Sequence, residues 1–286
     1  MLVNVNGTTI AYDVTGQGYP LLLLHGYPQT RRMWRKVTPA LAKRFTVVAM
    51  DLRGCGESAK PPEESGYDKR TMAEDALALM RRLGHERFLV VGHDRGARTA
   101  RRLAADHPEA LAGATLLDIM PMEWVFNQGR DGYARRYWHW YFMLQRGTAE
   151  AMLHAAPREY VLSFFRRSRQ PLDPADVEHY VEAFTRPGVI EATLADYRTA
   201  YEVDRPRWEA EVKAGKRITT PLCVLWGGNG NLADAPVLEA WRAVAADVRG
   251  EAVAESAHYI PEEQPEATVR HVMRFADEVG AAPPSP

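Results

Sequence analysis

The segment from residue 88 to residue 106 constrains the fold of this chain more than any other. An apolar run at 88–91 predicts a strand, and a Gly-x-Asp-x-Gly motif at residues 92–96 separates it from a helical pattern at 95–106. This order of strand, sharp turn and helix is typical of a turn that presents a nucleophilic side chain, here Asp94. With a reference pKa of about 3.9, a carboxylate is ionised at neutral pH, so it needs no base to become nucleophilic. We therefore expect Asp94 to attack a carbon that carries a leaving group.

Apolar runs and helical patterns alternate along much of the chain. Residues 2–5 and 9–14 alternate apolar and polar positions around Asn6-Gly7, which predicts an antiparallel hairpin. Further strands are predicted at 21–24, 45–50, 88–91, 114–117, 221–226 and 252–254, helices at 31–43, 70–83, 95–106 and 262–278, and a frayed tail at 281–286. This alternation predicts an α/β fold with a mostly parallel sheet flanked by helices.

The stretch at 122–214 interrupts this rhythm. It contains no clear strand, and it holds 16 of the 27 aromatic residues of the chain in about a third of its length. Both observations predict an inserted helical cap at the carboxyl edge of the sheet, with most of the aromatic side chains packed inside it. We therefore expect a core domain formed by residues 1–121 and 215–286, and a cap domain at 122–214.

Charge and composition exclude several classes of function. The formal net charge is −1 and the pI is about 6.8, so no basic face is expected for nucleic acid or an anionic membrane. The chain has no signal-peptide pattern and no apolar run long enough to span a membrane. Its two cysteines form no disulfide framework, which predicts a cytoplasmic protein. No metal-ligand spacing or phosphate-binding glycine loop is present, so we expect neither metal nor cofactor.

Two further residues complete a catalytic set with Asp94. In an open α/β sheet the reacting groups lie beyond the carboxyl ends of the strands. His258 follows the last predicted strand, which distinguishes it from the other eight histidines, and we expect it to act as the base. Asp118 follows the strand at 114–117 and is the preferred acid to orient His258, with Asp234 as the alternative, after the next strand.

Two arginines next to Asp94 indicate an anionic substrate. Arg95 and Arg98 are three residues apart at the start of a helix, so they share a face near the positive end of the helix dipole. A guanidinium group can grip a carboxylate through two hydrogen bonds. The next two arginines, Arg101 and Arg102, are expected to lie on a solvated face.

At this point the chain resembles the haloacetate dehalogenases, and among them the fluoroacetate dehalogenases, over nearly its whole length. The resemblance is carried by the following motifs: His25-Gly26-Tyr27-Pro28-Gln29-Thr30, Asp51-Leu52-Arg53-Gly54, Gly92-His93-Asp94-Arg95-Gly96-Ala97-Arg98, Leu117-Asp118-Ile119, Tyr137-Trp138-His139-Trp140-Tyr141 and Asp196-Tyr197-Arg198. The resemblance implies an α/β-hydrolase fold, and conversion of a short 2-haloacid such as haloacetate to glycolate and halide through a covalent ester on Asp94.

The same resemblance implies roles for the remaining site residues. His139, Trp140 and Tyr197 would bind the leaving halide, and Arg95 and Arg98 would hold the substrate carboxylate. Backbone N–H groups of Tyr27 and Arg95 would stabilise the oxyanion formed when the ester is hydrolysed. The resemblance also implies a homodimer. One departure is that fluoroacetate-active members tend to carry another tryptophan in the cap, and the stretch at 160–167 has none.

Other functions are compatible with an aspartate nucleophile. An epoxide hydrolase shares this nucleophile, but a neutral epoxide would leave the positive charges of Arg95 and Arg98 unpaired, and the same argument disfavours a haloalkane dehalogenase. A non-catalytic protein that binds small acids is a third possibility. The complete set of Asp94, Asp118 and His258 argues against it.

Overall fold

The computed structural model describes residues 1–126 and 137–281, and these form a twisted eight-stranded sheet with helices on both faces. The strands are β1 (Leu2–Val5), β2 (Thr8–Thr15), β3 (Tyr19–Leu24), β4 (Phe45–Met50), β5 (Phe88–His93), β6 (Leu111–Leu117), β7 (Leu222–Gly227) and β8 (Val248–Val253). Their order in the sheet is β1-β2-β4-β3-β5-β6-β7-β8. The pairs β1–β2 and β2–β4 are antiparallel and the others are parallel, as predicted for a mostly parallel sheet.

The helices fall into two groups. Those that flank the sheet are α1 (Thr38–Leu41), α2 (Lys69–Arg82), α3 (Arg95–Asp106), α11 (Val237–Val244), α12 (Ile260–Glu263) and α13 (Pro265–Glu278). Those that lie between β6 and β7 in the chain are α4 (Met122–Phe126), α5 (Trp138–Met143), α6 (Thr148–Ala155), α7 (Pro157–Phe165), α8 (Pro174–Phe184), α9 (Val189–Thr199) and α10 (Arg205–Lys213). A π-helical turn, Ala200–Asp204, joins α9 to α10, and we call this second group the helical insertion.

The apolar runs of the central strands arise because both faces of the sheet are covered. Along β3, Leu21 and Leu23 belong to one hydrophobic cluster and Leu22 and Leu24 to a second one on the opposite face. All four side chains are fully buried. A strand that is buried on both faces carries apolar residues at every position rather than at alternate ones.

Three predicted elements differ from the structure. The helix expected at 262–278 is two helices, α12 and α13, which meet at Gln264. Residues 31–43 form a 3₁₀ helix, Arg31–Trp34, and the separate short helix α1, instead of one helix. Pro39 lies in the first turn of α1 and has no N–H to donate to the carbonyl group of Arg35, so a helix that began at residue 31 cannot continue through it and a new helix starts there. The last strand begins at Val248 rather than at residue 252, because β8 is a sheet edge whose first residues are only partly buried and need not be apolar. The frayed tail predicted at 281–286 lies outside the described residues, apart from Ala281.

The turn between β5 and α3 brings Asp94 to the carboxyl edge of the sheet in a conformation that few residues adopt. Asp94 has φ 46° and ψ −113°, which is unfavourable for a residue with a side chain. The turn requires glycine at position 96. Any other residue would carry a Cβ atom, and that atom would overlap the backbone oxygens of Leu24 and His25. Glycine at 96 therefore lets α3 begin directly against the end of β3.

No helix in the described ranges, 1–126 and 137–281, combines the length and the apolar character needed to cross a bilayer.

The first prediction concerns this turn. Gly96→Ala should lower the free energy of unfolding by about 3 kcal/mol or more, because the added methyl group overlaps backbone that cannot move independently of the sheet. Urea denaturation followed by circular dichroism would measure the loss. The matched control is Gly228→Ala, where the new Cβ would lie 3.1 Å from its nearest neighbour, the backbone oxygen of Val253. Equal stability of Gly96→Ala and the wild-type protein would contradict this account of the turn.

Candidate active site

Asp94 is held at the carboxyl edge of the sheet by a backbone hydrogen bond. The N–H of Tyr27, in the turn after β3, donates to Asp94 Oδ1 at 3.0 Å. Burial raises the pKa of this carboxyl group, but His258, His93, Arg95 and this hydrogen bond outweigh burial, and the pKa lies well below its usual range. Asp94 is therefore ionised at neutral pH. Its Oδ1 accepts the hydrogen bond from Tyr27, and its Oδ2 is the oxygen available to act as a nucleophile.

His258 is paired with Asp118, the acid preferred from the sequence. Asp118 Oδ2 lies 2.6 Å from Nδ1 of His258, and Asp118 Oδ1 accepts a 3.0 Å hydrogen bond from the N–H of Gly227. Burial lowers the pKa of His258, but the hydrogen bond and charge of Asp118, together with the charge of Asp94, raise it above the usual value. The alternative acid, Asp234, is exposed and makes no hydrogen bond or ion pair with His258 among the described residues.

The two arginines expected to form a carboxylate clamp have different surroundings. Arg95 is engaged by Asp196: its Nε and Nη2 donate to the carboxylate at 2.8 and 2.6 Å, and Nη2 also donates to the backbone oxygen. Only Nη1 of Arg95 has no partner within the described ranges. Asp196 is also paired with the fully buried Lys69.

Arg98 is the more available cation. Its side chain is only 4% exposed, yet the structure gives it no hydrogen bond or ion pair with any described residue, and its Nε is buried without an acceptor. The guanidinium carbon lies 4.8 Å from the ring centre of Trp140. Burial, followed by the charge of Arg95, lowers the pKa of Arg98. A buried guanidinium group without an anionic partner is energetically costly, and a bound anion would remove this cost.

The three candidate halide donors contact one another. The ring centre of Tyr197 is 5.8 Å from that of His139 and 5.5 Å from that of Trp140, with both pairs edge to face. Burial, helped by the charge of Arg167, lowers the pKa of His139 to about 3, so its ring is neutral and has one N–H to donate. Burial raises the pKa of Tyr197 well above its usual value, so its hydroxyl group keeps its proton.

One cavity of about 320 Å³ joins most of these groups, between the edge of the sheet and the helical insertion. The sequence-predicted residues that line it are Tyr27, Asp94, Arg98, Asp118, His139, Trp140, Tyr197 and His258. Arg95 does not line this cavity and instead borders a much smaller one, of about 20 Å³, on its other side. The structure therefore brings together every predicted site residue except the side chain of Arg95, which lies behind the site.

Comparison with known proteins assigns the family. A family model described as alpha/beta hydrolase fold matches residues 19–265. The chain belongs to this family. A solved alpha/beta hydrolase from Nostoc sp PCC 7120 has a TM-score of 0.92 and 40% identity, with 96% of each chain covered. The fold prediction is thus confirmed, and the protein is a hydrolase.

Two curated relatives of this hydrolase have different activities. It is 39% identical over 237 residues to a fluoroacetate dehalogenase from Burkholderia sp, covering 80% of this chain and 77% of the relative. It is 35% identical over 281 residues to a soluble epoxide hydrolase from Corynebacterium sp. (strain C12), covering 95% and 94%. The comparisons therefore support a hydrolase with an α/β fold, and the choice between the two reactions depends on the geometry of the site.

The structure also reveals site residues that sequence reasoning missed. Asp196 lies in the Asp-Tyr-Arg motif before Tyr197, but its pairing with Arg95 spans 101 positions and has no local signal. Arg167 lines the cavity at the end of the stretch that lacks a tryptophan. No sequence pattern distinguished it from the neighbouring arginines.

The solvated face expected for Arg101 and Arg102 was wrong. Both side chains are at most 3% exposed. Arg101 pairs with Glu123 at 2.7 and 2.9 Å, and Arg102 pairs with Glu211 at 2.9 Å. Both guanidinium groups also stack on Trp208 of α10, at 3.6 and 4.2 Å from the ring centre. These arginines attach α3 to the helical insertion, so packing accounts for them.

The second prediction tests the choice of acid. In the wild-type protein the pKa of His258 should lie above 6.5, so the imidazole keeps its proton to a higher pH than an isolated histidine. Asp118→Asn should lower this pKa because it removes the negative charge that stabilises the protonated ring. Asp234→Asn, the matched control, should leave the pKa unchanged. Titration of ¹⁵N-labelled histidine by NMR would measure all three, and a fall in Asp234→Asn instead would reverse the assignment.

Proposed function

We propose that this hydrolase removes halide from haloacetates such as fluoroacetate and chloroacetate, producing glycolate. The observation that carries the proposal is the buried guanidinium group of Arg98, which lines the same cavity as Asp94 and lacks an anionic partner among the described residues. A substrate carboxylate would pair with Arg98 and place the adjacent carbon near the nucleophile. The relative from Burkholderia, a fluoroacetate dehalogenase, supports the same choice.

In the first step, Oδ2 of Asp94 attacks the carbon that carries the halogen. The carbon–halogen bond breaks, and its electron pair leaves with the halide. Fluoride is a poor leaving group, so donors must stabilise the charge that develops on it. The imidazole N–H of His139, the indole N–H of Trp140 and the hydroxyl group of Tyr197 can supply three such hydrogen bonds.

In the second step, water hydrolyses the resulting ester. His258 takes a proton from a water molecule, which attacks the ester carbonyl carbon of Asp94. Oδ1 then becomes the oxyanion, and the N–H of Tyr27 already donates to this atom in the unreacted protein. Collapse of the intermediate releases glycolate and restores the carboxylate. The backbone N–H of Arg95, at the start of α3, is the proposed second donor.

The helical insertion is proposed to act as a cap. It supplies His139, Trp140 and Tyr197, and these residues line the same cavity as Asp94. We retain the division into a core domain, 1–121 and 215–286, and a cap domain, 122–214, as part of the proposal. A homodimer belongs to it as well, and sedimentation velocity would test that assembly.

An epoxide hydrolase is the second candidate. The specific observation in its favour is the Corynebacterium relative, which aligns over 95% of this chain. The Asp94 nucleophile and the His258 base would serve equally, and Tyr197 could protonate an epoxide oxygen. This reaction uses no negative charge on the substrate, however, so Arg98 would keep a buried charge without a partner.

The third prediction separates these two reactions. Wild-type protein incubated with chloroacetate or fluoroacetate should release halide, and with styrene oxide it should form little diol. Arg98→Met should reduce kcat/KM for chloroacetate by about ten- to a hundredfold, because a hydrogen bond to a charged group contributes roughly 1.5–3 kcal/mol. Halide electrodes and chromatography of the diol would measure the products. Diol formation without halide release would refute the dehalogenase proposal.

The fourth prediction concerns the covalent intermediate. His258→Asn cannot deprotonate water, so after incubation with chloroacetate it should accumulate a carboxymethyl ester on Asp94. Intact-protein mass spectrometry should show the added mass of one carboxymethyl group, and peptide mapping should place it on Asp94. The control is the double variant Asp94→Asn/His258→Asn, which should gain no mass. An unmodified His258→Asn protein would argue against an ester intermediate.

A further inference from the structure

The outer end of the active-site cavity carries polar groups that the proposed reaction of haloacetate does not use. Arg167, Asn229 and Asn231 line the same cavity as Asp94 and Arg98, and all three are exposed. The structure gives their side chains no hydrogen bond or ion pair within residues 1–126 and 137–281. One guanidinium group and two amides are therefore available to a ligand in this cavity.

Arg167 is positioned by an aromatic ring rather than by a carboxylate. Its guanidinium carbon lies 5.0 Å from the ring centre of Phe164, and Phe164 packs edge to face against both Tyr27 and His139, at 5.2 Å each. The charge also acts inside the site, because Arg167 contributes, after burial, to the low pKa of His139. The cation thus faces the site, although the side chain itself is exposed.

The cavity is also larger than a haloacetate requires. At roughly 30 Å³ for each water molecule, a cavity of about 320 Å³ has room for about ten. A haloacetate has about half as many non-hydrogen atoms. With its carboxylate on Arg98 and its carbon next to Asp94, a haloacetate would leave the outer end of the cavity unfilled.

We propose that Arg167, Asn229 and Asn231 form a second anion site and that the enzyme accepts 2-halodicarboxylates, such as 2-chlorosuccinate. The carboxylate next to the halogen-bearing carbon would bind Arg98, and the distant carboxylate would bind Arg167 with the two amides. This inference rests on the proposed dehalogenase function and extends it to a longer class of substrate. Charge complementarity supports it, because the inner and outer ends of the cavity each offer one unpaired guanidinium group.

The chemistry is that of haloacetate with one additional substituent. Asp94 Oδ2 forms a bond to C2 of chlorosuccinate, and the C2–chlorine bond breaks with its electron pair leaving as chloride. Water, after giving a proton to His258, then attacks the ester carbonyl carbon of Asp94. The products are malate, chloride and one proton, and the carboxylate of Asp94 is regenerated.

The experiment compares two neighbouring charge-neutralising variants. Chloride release from chloroacetate and from each enantiomer of 2-chlorosuccinate would be measured for wild-type protein, Arg167→Gln and Arg166→Gln. Arg166 is exposed like Arg167 but does not line the cavity, so its variant removes the same charge from the rim without touching the site. Thermal melts would verify that the variants are folded.

We expect wild-type protein to form malate from at least one enantiomer. Arg167→Gln should lower the ratio of kcat/KM for chlorosuccinate to that for chloroacetate at least about tenfold, mainly through KM, since the distant carboxylate does not react. Arg166→Gln should keep the wild-type ratio. Equal losses on both substrates in Arg167→Gln, with strong salt dependence, would show long-range steering only and would overturn the second site.

The two proposals fail in distinguishable ways. Release of chloride from chloroacetate but not from either chlorosuccinate would overturn the second anion site and leave the dehalogenase proposal standing. Release from neither substrate would overturn the dehalogenase proposal, and the second anion site with it.

Discussion

The strained backbone of Asp94 is the constraint on which the site depends. With φ at 46°, this residue points its carboxylate away from the sheet edge, where the N–H of Tyr27 can donate to Oδ1. The conformation costs free energy of the order of 1–3 kcal/mol, which the packing of Gly96 against the end of β3 must offset. The same turn starts α3, so it also fixes Arg98 one helical turn from the nucleophile. One backbone conformation therefore sets the relative positions of the nucleophile, an oxyanion donor and the available cation.

Three charged side chains lie next to the active-site cavity without lining it. The carboxylate of Asp196 lies between two cations, because it pairs with both Lys69 and Arg95. Of these three groups, Arg95 contributes to the low pKa of Asp94. Because Asp196 occupies most of the donors of Arg95, that arginine acts on the nucleophile mainly through its field. Arg98 has no such partner among the described residues, which is why the proposed function assigns the substrate carboxylate to it. The two arginines that look equivalent in the sequence thus differ in what they can do.

Local patterns predicted the elements and the edge of the sheet at which the site lies, because strand burial and the turn motif are encoded over a few residues. They predicted less well where one residue overrides a pattern, as Pro39 does in the helix expected at 31–43. They also failed where a charge is satisfied by a distant partner: the helical spacing of Arg101 looks the same whether its face meets water or Glu123 and the helical insertion. The pairing of Arg95 with Asp196 depends on how the insertion packs on the core, which no short window of sequence contains.

The coupling between Asp94 and His258 gives the proposed reaction its order. In the unreacted protein the negative charge of Asp94 helps to raise the pKa of His258, against the effect of burial, so the imidazole holds a proton more strongly than usual. A protonated imidazole cannot act as a base. Formation of the ester removes the charge of Asp94, and the pKa of His258 must then fall, while the hydrogen bond that Nδ1–H of His258 donates to Asp118 continues to orient the ring. His258 therefore loses its proton more easily after the ester has formed, which is the step at which it must act as a base. This coupling requires a nucleophile whose charge disappears on reaction, so a serine in place of Asp94 could not provide it.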